Sequence, residues 1–219
     1  MALVENVLVI GNKNYSSWSL RPWLYLSVNA IPFEERRIPL YGTGSRDAIL
    51  AYSNAGHVPV LVREGLTVWD SLAILETLSE LYPASGGWPQ NPNERAWARS
   101  ICAEMHAGFR PLRTHLPMNV RRRVDPGDLP DDVASDVGRV RTIWRDCRKA
   151  HPGIGPFLFG RFSIADAMYA PVVTRFETYG VQVGPLEREY MDAVLGLPAM
   201  RAWTEAARRE TEVIPAFER

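Results

Sequence analysis

Residues 83–93, PASGGWPQNPN, constrain the fold more than any other segment of the chain. Proline and glycine interrupt helices and strands alike, and segments of this composition commonly join domains. Strand patterns occur before this segment, and none is recognisable after it. The sequence therefore predicts two domains, an α/β domain over residues 1–83 and an all-helical domain over residues 93–219.

The first domain shows strand and helix patterns in the order β-α-β-α-β-β-α. Apolar or alternating runs bounded by turn residues predict strands at residues 6–11, 33–40, 57–62 and 66–69. The second of these is expected nearer a sheet edge, and Glu64-Gly65 is expected to form a tight hairpin turn. Helices are predicted at residues 21–29 and 46–52 and from residue 71 onward, with Ser19 and Ser71 as N-caps.

The second domain carries only helix patterns. They predict one long helix over residues 94–119, disturbed near Pro111, and further helices at residues 131–150, after Ser163 and at residues 198–210. Ser163 and Asp166 form the S-x-x-D pattern of a capping box, which is structural and has no part in catalysis.

Composition excludes several classes of partner. Lys plus Arg and Asp plus Glu balance at 25 each, so no bulk charge draws the chain to nucleic acid or acidic lipid. The apolar runs are too short to span a bilayer, and the first residues lack the pattern of a secretory signal. Cys102 and Cys147 are predicted to be buried free thiols, with a disulfide as the alternative. We expect a cytoplasmic protein without a metal, nucleic-acid or membrane partner.

Three local features of the first domain suggest a ligand site. The loop at residues 14–22 is rich in hydroxyls and precedes a helix, whose free N–H groups stabilise an anion such as a thiolate. Val58-Pro59 starts a strand and is a candidate cis peptide, which would leave the Val58 backbone free to pair with an extended peptide. Asp70-Ser71 opens a helix and suits an amino-acid head, with Ser71 binding the carboxylate and Asp70 the ammonium. Plain helix capping is the alternative for the first and third features.

Together these motifs resemble the cytosolic glutathione transferase superfamily, closest to its serine-type zeta and tau classes. The matching pieces are the serine-rich loop with Arg21 five residues after Ser16, the run NAGHVPVL, the helix start DSLAILETL, the proline-rich linker and the helix SIADAMYAP. The resemblance implies a thioredoxin-like N-terminal domain, an all-α C-terminal domain and a homodimer. It also implies glutathione as co-substrate and a small hydrophobic or acidic electrophile as second substrate.

The resemblance implies that Ser16 contacts the glutathione sulfur, and an alternative spacing to the arginine assigns this contact to Ser17. The sequence departs from the family pattern in two ways. No cysteine occupies the loop, which argues against a mixed disulfide with the enzyme. Trp18 stands where the zeta pattern has a cysteine, which weakens a transfer of maleylacetoacetate isomerisation to this chain.

The same resemblance implies that five residues bind the rest of the glutathione molecule. Val58, with Pro59 cis, is expected to pair with the cysteinyl part, and Asp70 and Ser71 to bind the γ-glutamyl head. The family more often has Glu at the position of Asp70. His57 stands where relatives place Lys or Gln near the glycyl carboxylate, and an ordinary surface histidine is the alternative.

The second-substrate pocket is expected on the first helices of the C-terminal domain. Candidates recur at helical spacing, with a core stripe as the alternative: Met105, His106, Phe109 and Arg113. Arg110, Arg113 and the basic run at residues 121–123 favour acidic electrophiles, or else form a solvated basic face.

Three functions remain open from the sequence. The first is an enzyme that conjugates or isomerises an electrophile with glutathione. The second is a carrier that binds glutathione without chemistry. The third is an interaction module without glutathione, which Ser16, Pro59 and Ser71 argue against.

Overall fold

The computed structural model describes residues 5–218; residues 1–4 of the predicted first domain and residue 219 of the second lie outside them. A four-stranded sheet has the order β2-β1-β3-β4. Its strands are β1 (Val7–Ile10), β2 (Glu34–Arg37), β3 (Val60–Arg63) and β4 (Leu66–Trp69). β1 pairs in parallel with β2, and β3 is antiparallel to both of its neighbours. The predicted strands and the edge position of β2 are confirmed.

Three helices accompany the sheet: α1 (Ser17–Val28), α2 (Ser45–Leu50) and α3 (Ser71–Leu81). The β3–β4 hairpin turns at Glu64-Gly65, both with positive φ, as two-residue hairpin turns of this type require. The chain order of strands and helices matches the predicted order.

The remainder of the described chain is mostly helical. Its helices are α4 (Pro92–Ala107), α5 (Arg110–His115), α6 (Asp131–Ala150), α7 (Ile164–Thr178), α8 (Pro185–Gly196) and α9 (Pro198–Arg209). α7 is buried at every residue except Glu177 and packs against α1, α4 and α8. A helix that is buried on all sides in this way forms the centre of the core.

The single helix predicted over residues 94–119 is wrong, because the chain breaks between α4 and α5. Phe109 has a φ of 55°, and a Cβ on Gly108 would lie 2.8 Å from the carbonyl oxygen of Glu104. Only glycine fits such a close approach. Pro111 sits in the first turn of α5, where its missing N–H leaves no helical bond unmade. The prediction also missed α8.

Both predicted N-caps in the sheet region are wrong, because each lies after the residue that caps the helix in the structure. Ser16, not Ser19, caps α1, and its Oγ accepts the N–H of Ser19 at 3.4 Å. Asp70, not Ser71, caps α3, and its Oδ1 accepts the N–H of Leu72 at 2.9 Å. A cap residue bonds the N–H two or three positions onward, and in both cases the residue immediately before the observed helix meets this condition.

The capping box of α7 is confirmed. Asp166 accepts the backbone N–H of Ser163 at 2.8 Å and that of Leu158 at 3.0 Å. Burial raises the pKa of Asp166 to about 6, although these hydrogen bonds oppose the change. Cys102 and Cys147 are buried free thiols, as predicted.

Candidate functional site

A cleft of about 1090 Å³ opens between the sheet region and the helices α4, α5 and α7. Both parts of the chain line it. Nine of the predicted site residues lie on its wall: Ser16, Ser17, His57, Val58, Pro59, Asp70, Ser71, His106 and Arg113.

Met105 and Phe109 do not line the cleft. Met105 is fully buried in the hydrophobic core, and Phe109 is buried in the same cluster. The helical stripe therefore divides, because the break at Gly108 turns Arg113 toward the cleft while Met105 stays on the core face of α4. Their predicted pocket role is corrected.

The two serines of the loop differ in what their hydroxyls do. Ser16 Oγ donates to Ser19 Oγ at 2.7 Å, and Ser19 Oγ also accepts the N–H of Gly11 at 3.1 Å. Ser17 Oγ makes no hydrogen bond within residues 5–218. Ser17 can thus donate to a ligand at the N-terminus of α1 without breaking an internal bond.

The peptide bond between Val58 and Pro59 is cis, as predicted. Val58 lies two residues before the start of β3, with Pro59 between them, and lines the cleft. It makes no hydrogen bond to any residue that the structure describes, so its backbone is available to an extended peptide. His57 is exposed at the mouth of the cleft.

Asp70 and Ser71 form a polar corner at the start of α3. Asp70 has a φ of 76°, and its Oδ2 lies 3.3 Å from Nε2 of His106 on α4. Ser71 is 1% exposed, and its hydroxyl lacks a hydrogen-bond partner in the described chain. A buried, unsatisfied hydroxyl that lines a cleft is suited to a polar ligand group.

Trp18, on α1, also lines the cleft and is surrounded by cationic or aromatic side chains. The guanidinium carbon of Arg21 lies 4.0 Å from its ring centroid and that of Arg113 lies 5.3 Å away. The His106 ring meets it edge-on at 5.5 Å. Such contacts fix the indole and attract cations to its face.

Arg175, on α7, lines the cleft and was missed by the sequence predictions. Its Nε donates to the carbonyl of Leu116 at 2.9 Å. Burial lowers its pKa to about 10, and burial together with Arg175 and Arg113 lowers the pKa of Arg21 to about 9. The sequence did contain a signal for Arg175, because arginine is rarely buried without a partner and this one stands in a mostly apolar helix.

The C-terminal segment also reaches the site. Glu210 follows α9, and its carboxylate accepts the backbone N–H groups of Lys13 and Asn14 at 2.7 and 3.1 Å. Phe217, in the short 3₁₀ turn Pro215–Phe217, lines the cleft near Tyr15, with ring centroids 5.8 Å apart. No sequence pattern announced these contacts.

No helix within residues 5–218 combines the length and apolar character needed to cross a membrane. Over the same range, no group of three or more His, Cys, Asp or Glu side chains is arranged to hold a metal ion.

Comparison with known proteins identifies the class. Two family models match, "Glutathione S-transferase, N-terminal domain" over residues 15–81 and "Glutathione S-transferase, C-terminal domain" over residues 95–206. A maleylacetoacetate isomerase of Mus musculus is 33% identical over 178 residues, covering 78% of each chain.

Two solved structures share the fold. Holo maleyl pyruvate isomerase, a bacterial zeta-class glutathione S-transferase, has a TM-score of 0.71 at 22% identity, covering 94% of this chain and all of its own (100%). A glutathione transferase homologue from Burkholderia with bound glutathione has a TM-score of 0.70 at 21% identity, covering 93% of this chain and 97% of its own.

The fold is therefore that of the glutathione transferases, an α/β part with a small mixed sheet followed by a mostly helical part. The chain belongs to the glutathione S-transferase family and is a glutathione-dependent enzyme. The family resemblance and the fold class predicted from the sequence are confirmed.

Proposed function

We propose that the cleft binds glutathione and stabilises its thiolate for attack on a small electrophile. The observation that carries this proposal is the free hydroxyl of Ser17 at the N-terminus of α1, on the wall of the cleft. The thiolate, and not the thiol, is the nucleophile. A free thiol has a pKa of about 8.5, and each unit by which the site lowers it is worth about 1.4 kcal/mol.

Ser17 donates to the sulfur in this proposal, while Ser16 caps α1 and keeps its N–H groups directed at the site. The engagement of the Ser16 hydroxyl with Ser19 supports this division, because Ser16 would have to release that bond to reach the sulfur. Ser16, which the family pattern favours, remains the second candidate for the contact. Neither serine attacks the electrophile.

The rest of glutathione follows from the remaining polar groups. The free backbone of Val58 pairs with the cysteinyl part, beside cis Pro59. The unpartnered hydroxyl of Ser71 receives the γ-glutamyl carboxylate, and Asp70 receives the ammonium group. His57, exposed at the mouth, lies toward the glycyl end.

The second substrate lies between the sulfur and the wall formed by Trp18, His106 and Arg113, all of which line the cleft. Conjugation is the first candidate reaction, in which the sulfur displaces a leaving group. Isomerisation is the second, and the maleylacetoacetate isomerase of mouse at 33% identity supports it. Trp18 in place of the cysteine of the zeta pattern speaks against a direct transfer of that substrate.

The domain organisation, the oligomeric state and the location complete the proposal. The division into residues 1–83, which bind glutathione, and residues 93–219, which shape the second-substrate pocket, follows the change from sheet to helices. A homodimer and a cytoplasmic location follow the family expectation. Light scattering on the purified protein measures its mass in solution and tests the dimer.

A pH titration of protein-bound glutathione tests the proposed function. The ultraviolet thiolate band should appear well below the pH at which free glutathione ionises. Glutathione bound with an unshifted thiol would make the chain a carrier, and no binding would refute the proposal.

A further inference from the structure

The serine loop, residues 12–17, is bonded to the helical region through Asn14, which is fully buried. The side-chain Nδ2 of Asn14 donates to Oδ1 of Asn119 at 2.9 Å, and its Oδ1 accepts the backbone N–H of Arg121 at 3.0 Å. Its carbonyl accepts the N–H of Val120 at 3.4 Å. The segment between α5 and α6 thus holds this residue of the loop through both its side chain and its backbone.

Asn119 connects the serine loop to two further parts of the chain and is 1% exposed. Its Nδ2 donates to the carbonyl of Phe217 at 3.1 Å and to Oε1 of Glu218 at 2.9 Å, both in the C-terminal segment. Its own carbonyl accepts the hydroxyl of Thr178, on α7, at 2.9 Å. A buried side-chain amide whose oxygen and nitrogen are both bonded in this way holds a single orientation.

A backbone group sets the orientation of both asparagine amides. The N–H of Arg121 can only donate, so Asn14 turns its side-chain oxygen to that group and its nitrogen to Asn119. Asn119 must then turn its oxygen to Asn14 and its nitrogen to the carboxylate of Glu218, which accepts. The hydrogen bonds therefore run in one direction, from the backbone N–H to the carboxylate, and an exchange of oxygen and nitrogen in either amide breaks the chain.

Tyr15, the next residue of the serine loop, is held by the same two ends of this chain. Its hydroxyl donates to Oε1 of Glu218 at 2.5 Å and accepts a hydrogen bond from Nη2 of Arg121 at 2.7 Å. Burial and the hydrogen bond to Glu218 raise the pKa of Tyr15, so the phenol keeps its proton. The backbone carbonyl of Tyr15 accepts the N–H of Ser17 at 3.0 Å. Ser17 is thus one hydrogen bond away from a residue that the C-terminal segment holds.

We propose that Asn119 is a positioning residue whose amide, oriented between Glu218 and Asn14, fixes the serine loop in the arrangement that stabilises the glutathione thiolate. This assignment rests on the proposed function. Asn119 itself does not line the cleft, although the two residues before it do, so it acts through the loop. Hydrogen bonds weaken steeply as their angle departs from linear, so a donor to the thiolate is effective only while the loop is held in place.

A pH titration of bound glutathione measures the effect of the loop position on the thiol. Asn119→Ala removes the acceptor for Asn14 and the donor to Glu218, and we expect it to raise the pKa of the bound thiol by about half a unit or more.

Thr178→Val is the matched control, because Thr178 is as buried as Asn119 and bonds only its backbone carbonyl, so the variant leaves the Asn119 amide intact. It should lower the Tm through the loss of a buried hydrogen bond and leave the thiol pKa unchanged. An unchanged pKa in Asn119→Ala, or the same change in both variants, would overturn the proposal.

A double variant shows whether Asn119 acts through the serine that contacts the sulfur. Asn119→Ala is combined with Ser17→Ala or Ser16→Ala, whichever alone raises the thiol pKa more. Because a positioning residue has nothing left to position once the hydroxyl is gone, the double variant should titrate within about 0.2 pH units of the serine variant alone. Additive changes would show that Asn119 reaches the thiolate by another route and would refute the positioning role.

Hydrogen exchange decides the positioning without glutathione. Backbone amides of residues 12–17 should exchange about tenfold faster or more in Asn119→Ala and in Glu218→Ala, and at the native rate in Thr178→Val. Glu218→Ala keeps the Phe217 carbonyl as an acceptor for Asn119, so it provides the test if Asn119→Ala does not fold.

The outcomes of the two kinds of measurement are distinguishable. Faster exchange in Glu218→Ala, together with an unshifted thiol pKa in the native protein, would support the positioning of the loop and refute only the proposed function. Native exchange rates in Glu218→Ala would overturn the positioning role and leave the proposed function standing.

Discussion

Oε1 of Glu210 accepts a hydrogen bond at 2.7 Å from the backbone nitrogen of Lys13, 197 residues earlier in the chain. Its second oxygen accepts the N–H of Asn14, so one carboxylate secures the loop that leads into Ser16. The carbonyl of Lys13 is held in turn by Trp203 Nε1 at 2.9 Å. The geometry of the serine loop thus depends on α9 and the segment after it.

Glu210→Ala should lower the free energy of unfolding by about 1–3 kcal/mol, because it leaves two N–H groups without acceptors in a largely buried place. Catalysis should fall with it as the serine loop loosens. Chemical denaturation and initial rates measure the two effects. Glu205→Ala is the control, because Glu205 is exposed and its change should stay within about 0.5 kcal/mol. Equal stabilities of the two variants would show that the loop does not depend on Glu210.

Ser17→Ala should raise the pKa of the bound glutathione thiol by about one unit, or about 1.4 kcal/mol, because the thiolate loses a donor. Stability should hardly change, since Ser17 Oγ has no internal partner to lose within residues 5–218. Ser16→Ala should instead cost about 1 kcal/mol of stability through its lost cap. The thiolate titration and a melting curve, run on both variants, separate the two roles. A larger pKa change in Ser16→Ala would assign the sulfur contact to Ser16.

Ser71→Ala should raise KM for glutathione about tenfold or more, because a hydrogen bond to a charged carboxylate is lost. The free energy of unfolding should stay the same or increase, since the variant removes a buried hydroxyl that has no partner. Steady-state kinetics with varied glutathione give the first value. Ser100→Ala, at an exposed serine on α4 that bonds only the carbonyl of Ala96, is the control. An unchanged KM would remove Ser71 from the site.

The raised pKa of Asp166 predicts that the free energy of unfolding depends on pH. Its pKa in the folded chain is raised to about 6 by burial, against about 3.9 for an unperturbed aspartate. The folded state therefore binds the proton more tightly than the unfolded state, so this stabilisation is complete below about pH 4 and is lost as pH rises through about 6. The stability difference between the native protein and Asp166→Asn should shrink over that range. A difference that grows with pH would show that the capping bonds outweigh burial.

Local patterns predicted the strands, the cis bond before Pro59 and the capping box, because each depends on a few adjacent residues. The helix break at Gly108-Phe109 was not predicted at its observed position. The sequence analysis placed the disturbance of the helix at Pro111, two residues after Phe109. Ser19 and Ser71 were predicted as caps in place of Ser16 and Asp70. Several neighbouring residues can all cap a helix, and tertiary packing selects one of them.

The candidate site was predicted better on the sheet side than on the helical side. Loop and helix-start motifs picked out Ser16, Ser17, Asp70 and Ser71, and all four line the cleft. A helical stripe does not reveal which of its residues faces a cleft, so Met105 was misassigned. Arg175 was missed because it lies on α7, outside that stripe. The contact of Glu210 with Lys13 joins residues that no local pattern relates.

The burial of α7 on every side has a consequence for how the protein denatures. One of the helices that pack against α7 is α1, which belongs to the sheet region. Arg21 of α1 donates a hydrogen bond to the carbonyl of Met168 in α7. Melting of either region alone would expose this helix to water on one flank. The two regions are thus energetically coupled, and heating should produce a single calorimetric transition in which glutathione binding raises the midpoint of the whole chain.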